Sequence, residues 1–322
     1  MIRNTLYNNI TTIANTMASV TAMESSLFEL ATRNLTIIDI RSEQEFMANH
    51  IINSFNLPFL LLNDRKYELP PRYIKFFVVV CKKELNKVYD WFMKQPFNIE
   101  GFLIWEEIKH LPKNNRNDKI NNRNEKNAFP FQPCPLLKQE IKFMKSMIEN
   151  NRDTNIIDLG CGSGRDIIFM AKYFDKSNII AVDNLPGKIT QVRDFAKNYN
   201  LSNIIEIQKD IRQAGSLHEL FNDYQQSNKN IVDNGLSIVI ISRFLCRDIF
   251  EEIYKLLNVG GMLCIHSFLT CNIKPKKMKD KIDVEELESV FHIKYGMKIL
   301  RNNVYIQPDD GRKLSMFLAM KV

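Results

Sequence analysis

Asp158, Gly160, Gly162 and Gly164 stand at alternate positions in Asn155–Asp166, NIIDLGCGSGRD. An acid followed by three glycines suits a small ligand with a cationic group. The carboxylate can meet the cation, and the glycines let the ligand lie against the main chain. Ile156, Ile157 and Leu159 make the stretch before the turn a short strand; Ile167, Ile168, Met170 and Ala171 open a helical pattern after Arg165. Strand, glycine turn and helix N-terminus is the way an open α/β sheet holds a nucleotide-like ligand. A dinucleotide fingerprint would need G-x-G-x-x-G, and its third glycine, counted from Gly160, falls on Arg165. A pyrophosphate has no cationic group to set against Asp158. Two more acids close the next two apolar runs: Asp183, followed by Asn184, in NIIAVD, and Asp210, followed by Ile211, after IIEIQK.

The elements that must position these residues alternate in type. Strands are expected at 156–159, 178–183, 204–209, 236–241 and 262–267, and helices near 165–174, 186–199, 215–222 and 247–257. Residues 222–234 form a polar insertion, and Val259-Gly260-Gly261 reads as a turn. A helix at 283–290 precedes two apolar strands near 296–306 and 314–321 with no crossover helix between them. This order predicts a doubly wound, mostly parallel sheet that ends in an antiparallel hairpin. Ahead of it, AFPFQPCP leads into an amphipathic helix with Leu137, Ile141, Met144 and Ile148 on one face.

With these elements, the glycine stretch resembles the first motif of the class I S-adenosylmethionine-dependent methyltransferases, and the resemblance covers Phe129–Val322. It implies a Rossmann-like domain of seven strands that binds S-adenosylmethionine. Asp158 would meet the amino group of that cofactor. The backbone around Gly160, Cys161, Gly162 and Gly164 would face its carboxylate or ribose. Asp183 with Asn184 would take the ribose hydroxyls, Asp210 the adenine amino group with Ile211 beside the ring, and Ser242, at the end of the fourth strand, would also touch the cofactor. Phe131 and Pro133–Pro135 are expected to cover the cleft. ISRFLCRD after the fourth strand has neither the N/D-P-P-Y pattern of amino-group methylases nor the Pro-Cys of cytosine-C5 methylases, so Cys246 reads as packed. Arg243 and Arg247 could hold an anionic substrate. Asp248 could be a base or cap the next helix, and His266 could be a general base or a hydrogen-bonded residue at the core edge. The acceptor stays open among small molecules, RNA and protein.

A second pattern lies upstream. Asp39, Arg41, Glu45, Phe46, His50, Ile51, Asn56 and Pro58 follow D-x-R-x-x-x-E-F-x-x-x-H-I-x-x-x-x-N-x-P, with Ser42 and Glu45 spaced as a capping box. This resembles the rhodanese, or sulfurtransferase, domain. Phe76–Val80 is a buried strand, and Cys81 falls where that family carries persulfide sulfur. The loop after it, KKELNK, departs from the family in having neither glycine nor arginine. Lys82, Lys83 and Lys87 could lower the thiol pKa; otherwise Cys81 is a small apolar residue at a strand end. EGFLIWEE resembles the last strand of such a domain, with Trp105 in its core. The two halves together resemble rhodanese-fused methyltransferases, some labelled tellurite-resistance-like.

The expected organisation is an extension at 1–24, a degenerate rhodanese-like α/β domain at 25–110, an Asn/Lys/Arg-rich linker at 111–127 and the methyltransferase domain at 128–322. The 45% hydrophobic and 25% charged composition is that of a soluble globular protein. The net charge of +7 permits an RNA or other anionic partner without demanding one. No apolar run approaches the roughly 18 residues needed to span a bilayer, so no membrane segment is expected. Six cysteines without a C-x-x-C pair argue for a reducing compartment and no metal site. The cytoplasm is expected, with mitochondria as the alternative because residues 1–24 hold a single acid, Glu24. The competing functions are a non-catalytic binding protein and an active sulfurtransferase working through Cys81.

Overall fold

The computed structural model describes residues 36–51, 53–109, 113–114, 129–148, 154–227 and 235–322. The N-terminal extension and most of the expected linker and polar insertion lie outside these residues. The chain divides into two compact units, Met1–Gln132 and Pro133–Val322.

The first unit holds strands β1 (Thr36–Asp39), β2 (His50–Ile51), β3 (Phe55–Asn56), β4 (Lys75–Val80), β5 (Asn98–Ile104) and β6 (Lys113–Asn114). Its main sheet has the order β3-β1-β4-β5 and is parallel throughout; β2 and β6 pair separately. Phe76–Val80 is buried on both faces, as a central parallel strand must be. Helix α1 (Glu43–Ala48) opens with the expected capping box: the Glu45 amide donates to Ser42 Oγ at 3.3 Å, and the Ser42 amide donates to Glu45 Oε2 at 3.0 Å. Helices α2 (Leu62–Arg65), α3 (Leu85–Met93) and α4 (Trp105–Ile108) follow. Trp105 is half-buried at the start of α4 and packs against the core cluster of Ile37, Phe77, Val79 and Ile108. One face of its ring is covered by the Arg41 guanidinium, 3.5 Å from the ring centre.

The second unit is a seven-stranded sheet of order β12-β13-β11-β10-β7-β8-β9. The strands are β7 (Asn155–Leu159), β8 (Asn178–Asp183), β9 (Ile204–Gln208), β10 (Leu236–Ser242), β11 (Leu257–His266), β12 (Lys298–Ile306) and β13 (Lys313–Met320). β7 to β11 run parallel to one another, and β13 enters antiparallel between β11 and β12. The helices are α5 (Pro135–Ile148), α6 (Arg165–Tyr173), α7 (Pro186–Asn198), α8 (Ser216–Ser227), α9 (Phe250–Leu256) and α10 (Val284–Glu288). This is the class I methyltransferase fold with its terminal antiparallel hairpin. The main apolar cluster joins Ile157, Leu159, Val182, Val239, Ile265 and Phe317 to Leu217, Phe250 and Phe291 on the helices and turns.

Two expectations of detail change. The Gly260-Gly261 pair lies inside β11, where the pairing with β10 shifts register between Leu236 and Ile238, and is not a turn before the strand. A side chain at Gly261 would meet the Leu236 carbonyl oxygen at 2.9 Å, so the close strand contact requires glycine. The helix expected at 283–290 ends at Glu288 and continues as a π-helical turn, Ser289–Lys294.

Candidate functional site

Parallel strands point their carboxyl ends the same way, so the turns after β7, β8, β10 and β11 meet at one edge of the sheet. The β7 turn is built round its glycines. Gly160 has φ +77°, and a Cβ there would stand 2.7 Å from Cγ of Phe244, whose ring lies on the turn. Gly164, at φ +87°, starts α6, and a Cβ there would meet Val192 Cγ2 at 2.9 Å. Above Gly162 there is open space. The amide of Gly162 donates to Asp183 Oδ2 and that of Leu185 to Asp183 Oδ1, both at 2.9 Å, which pins the carboxylate that ends β8. Asn184 beside it is exposed.

Asp158 is buried, and its Oδ1 has no hydrogen-bond partner among the described residues. Burial, then the nearby Asp166 and Asp183 carboxylates, push its pKa well above the usual carboxylate range. A buried polar atom left bare costs stability unless a ligand supplies what is missing. Cys161 is buried next to it, and burial pushes that thiol up as well. Asp166 is a residue that sequence reasoning passed over. It accepts the Cys134 amide at 2.6 Å and the Ser242 hydroxyl. One carboxylate therefore ties the proline lead-in and the end of β10 to the glycine turn. The signal was present as an acid in the first turn of α6, a position that also suits the helix dipole. Phe131 is buried.

Asp210 lies two residues beyond β9 and is engaged locally. Arg212 donates to Asp210 Oδ1 from its amide at 3.1 Å and from Nε at 2.8 Å, and Nη2 reaches Oδ2. These bonds hold the carboxyl at about 2. Ile211 is packed in the main core.

The β10 loop divides into a fixed and a free part. Arg243 is exposed and sits at φ +57°, a backbone state that is costly without glycine. Its amide donates to the His266 carbonyl at 2.8 Å, and Nη2 donates to Gln307 Oε1 at 3.3 Å. Arg247 is consumed as a staple: it pairs with Glu286 and donates to the carbonyls of Lys279 at 3.1 Å and Lys281 at 2.7 Å. It is not a spare anion-binding cation. Asp248 is exposed in a 3-10 turn (Arg247–Ile249) and makes no capping bond to α9. Cys246 is buried in the core. His266 ends β11. Its Nδ1 lies 2.7 Å from the Ser315 carbonyl, which can only accept, so Nδ1 carries the proton and Nε2 presents a lone pair. Nε2 is buried without a partner among the described residues, and burial lowers the pKa to about 4.

In the first unit Cys81 follows β4 as expected, but its surroundings are acidic. Sγ lies 3.8 Å from Glu45 Oε1, and the Lys82 amide donates to Glu106 Oε2 at 2.9 Å. Burial, then Glu45 and Glu106, push the thiol up to about 11. The neighbouring lysines therefore do not lower it as expected. Arg41 is spent on Asp39, with Nη2 to Oδ2 at 2.6 Å, and on the Asn49 carbonyl.

Comparison with known proteins agrees with both units. The family described as "Methyltransferase domain" matches residues 150–311, and the rhodanese-like domain matches 26–101. The chain belongs to the methyltransferase-domain family and carries a rhodanese-like domain ahead of it. The Schizosaccharomyces pombe protein UNK4.09 is 25% identical over 326 residues, which cover 88% of this chain and 93% of that protein. Sterol 24-C-methyltransferase ERG6 of Saccharomyces cerevisiae is 24% identical over 155 residues, 46% of this chain and 38% of that protein. Among solved structures, TehB from Haemophilus influenzae aligns at TM-score 0.40 and 17% identity, covering 56% of this chain and 62% of its own. No helix among the described residues is long and apolar enough to cross a membrane.

Proposed function

We propose that the second unit is an S-adenosylmethionine-dependent methyltransferase and that the rhodanese-like unit has lost sulfur transfer. The observation that carries the first part is the bare, buried Oδ1 of Asp158 beside the open space above Gly162. The residues fit the cofactor. An ammonium group supplies the donor that Asp158 lacks and stabilises its charged form. Each oxygen of Asp183 already takes one amide and keeps a lone pair for a ribose hydroxyl. The cradle over Gly162 admits a ligand against the main chain. Asp210 offers the adenine amino group only what Arg212 leaves of it.

S-adenosylmethionine supplies a methyl carbon already activated by its sulfonium. The chain's task is then to position and to exclude water. Phe244 closes the glycine turn, Asp166 holds the lead-in against it, and His266 Nε2, neutral at its lowered pKa, accepts a hydrogen bond from the acceptor. Arg243 meets an anionic group on the acceptor. Calorimetry with S-adenosylmethionine and S-adenosylhomocysteine tests the reading; absence of binding to both sinks it. For the first unit, Glu106 occupies the Lys82 amide that would otherwise face a persulfide, and the Cys81 thiol stays protonated at neutral pH. Thiosulfate and cyanide should yield no thiocyanate, and Cys81-dependent thiocyanate would overturn this.

A further inference from the structure

After β11 the chain makes a closed loop at the carboxyl edge of the sheet. Its neck is bridged: Leu269 pairs with Ile282, and the Ile282 amide donates to the Phe268 carbonyl at 2.9 Å. Asn272 Nδ2 donates to the carbonyls of Leu269 at 2.8 Å and Lys313 at 2.6 Å. Arg247 grips the far side through the Lys279 and Lys281 carbonyls. Asn272–Lys281, NIKPKKMKDK, holds five lysines and one acid, Asp280. Lys281 turns inward, buried, with its ammonium on the Asn272 carbonyl. The other four, Lys274, Lys276, Lys277 and Lys279, are exposed.

Between them stand two aliphatic side chains with little cover, Ile273 at 88% exposed and Met278 at 60%. Ile306, 59% exposed, lies at the same edge, because it pairs with Lys313, whose amide donates to Asn272 Oδ1 at 2.8 Å. The stretch contains no aromatic ring and no arginine. A nucleic-acid surface uses flat groups that stack on bases. Aliphatic tips inside a collar of lysines suit a lipid interface, where the tips enter the acyl boundary and the ammonium groups reach anionic headgroups. A loop held in shape beforehand loses little freedom on docking.

We propose that this loop docks the protein on an anionic bilayer surface, with Ile273 and Met278 entering the interface and Lys274, Lys276, Lys277 and Lys279 facing the headgroups. Docking stands apart from methyl transfer. Together with the proposed activity it sets the mouth of the site against the bilayer, so the acceptor would be a molecule that partitions there. The test needs no methyl donor. The full chain is sedimented with phosphatidylcholine vesicles, with and without about one third phosphatidylserine, and polyuridylate is tried in parallel. Binding should require phosphatidylserine and weaken with salt. The pair Lys276→Glu and Lys277→Glu should lower binding about tenfold or more. The pair Ile273→Ser and Met278→Ser should lower it with the salt dependence kept. Failure to sediment with phosphatidylserine vesicles overturns the proposal, as does equal binding by either double variant. So does lysine-dependent binding of polyuridylate without vesicle binding, which would make the loop a nucleic-acid surface.

Discussion

The turns after β4 and β7 follow the same kind of strand, parallel and buried on both faces, and end in opposite states. The β7 turn leaves a buried oxygen of Asp158 bare and a space over Gly162. The β4 turn satisfies itself: Glu106 fills the Lys82 amide, Ser42 holds Glu45, and Glu45 leans on Cys81. A site that binds keeps polar groups unmet at some cost to folding, and a turn with nothing to bind can let its own side chains meet them. The presence of the expected residue type at a turn is therefore a weaker sign of function than the presence of an unmet need.

Gly160→Ala should break the contrast most sharply. The added methyl meets Phe244 at 2.7 Å on a backbone at φ +77°, and affinity for S-adenosylmethionine should fall about a hundredfold or more, read by calorimetry with circular dichroism confirming the fold. Unchanged affinity would show that the turn is not the cradle. Asp158→Asn comes next, with a loss of about thirtyfold in affinity and, unusually, a gain in stability. Burial raises the folded pKa of Asp158, so the folded state keeps a proton that the unfolded state gives up. That penalty grows as pH rises from the ordinary carboxylate value through the raised one, and asparagine removes it. The melting temperature should rise by about 3 °C at pH 7.5, near 1 kcal/mol, with no gain at pH 3. A variant no more stable at pH 7.5 would mean that burial does not raise the Asp158 pKa in the folded state.

The other turn offers the smaller effects. Replacing both Glu45 and Glu106 by glutamine removes the second and third causes of the high Cys81 pKa and leaves burial. Alkylation by iodoacetamide at pH 8 should quicken about tenfold, for a drop of about one pKa unit. No change would place the whole effect in burial. Cys81→Ser should alter neither methyl transfer nor stability by more than about 0.5 kcal/mol; a loss of methyl transfer would mean that the closed turn still works for its neighbour.

Much of this was legible from spacing. Alternating apolar runs gave the strands and helices in chain order, and the closing hairpin followed because Lys298–Ile306 and Lys313–Met320 have no helix between them; the place of each strand in the sheet was not in the spacing. Ser42 and Glu45 announced their capping box, since that contact is local in sequence. Contacts between distant segments were not legible. Nothing local says that Arg247 will reach Glu286 or that Asp166 will hold the Cys134 amide. Side-chain valences are settled by whichever group arrives first in three dimensions. Cys81 shows the same limit: its lysines are near in sequence, yet Glu45 and Glu106, near in space, decide its chemistry.

The place of β13 has a consequence for how the molecule is made. β11 ends at His266, and its outer neighbour is not Leu269 or any nearby residue but Lys313–Met320. During synthesis the outer edge of β11 waits unpaired until that distant segment has been translated, and a bare apolar edge invites pairing with another chain. The rhodanese-like sheet, whose strands all lie upstream, can close long before. A frameshift or premature stop between the two strands would therefore not yield a shorter enzyme. It would yield a finished first unit carrying an adhesive second one, and such products should be found in aggregates or cleared by proteolysis.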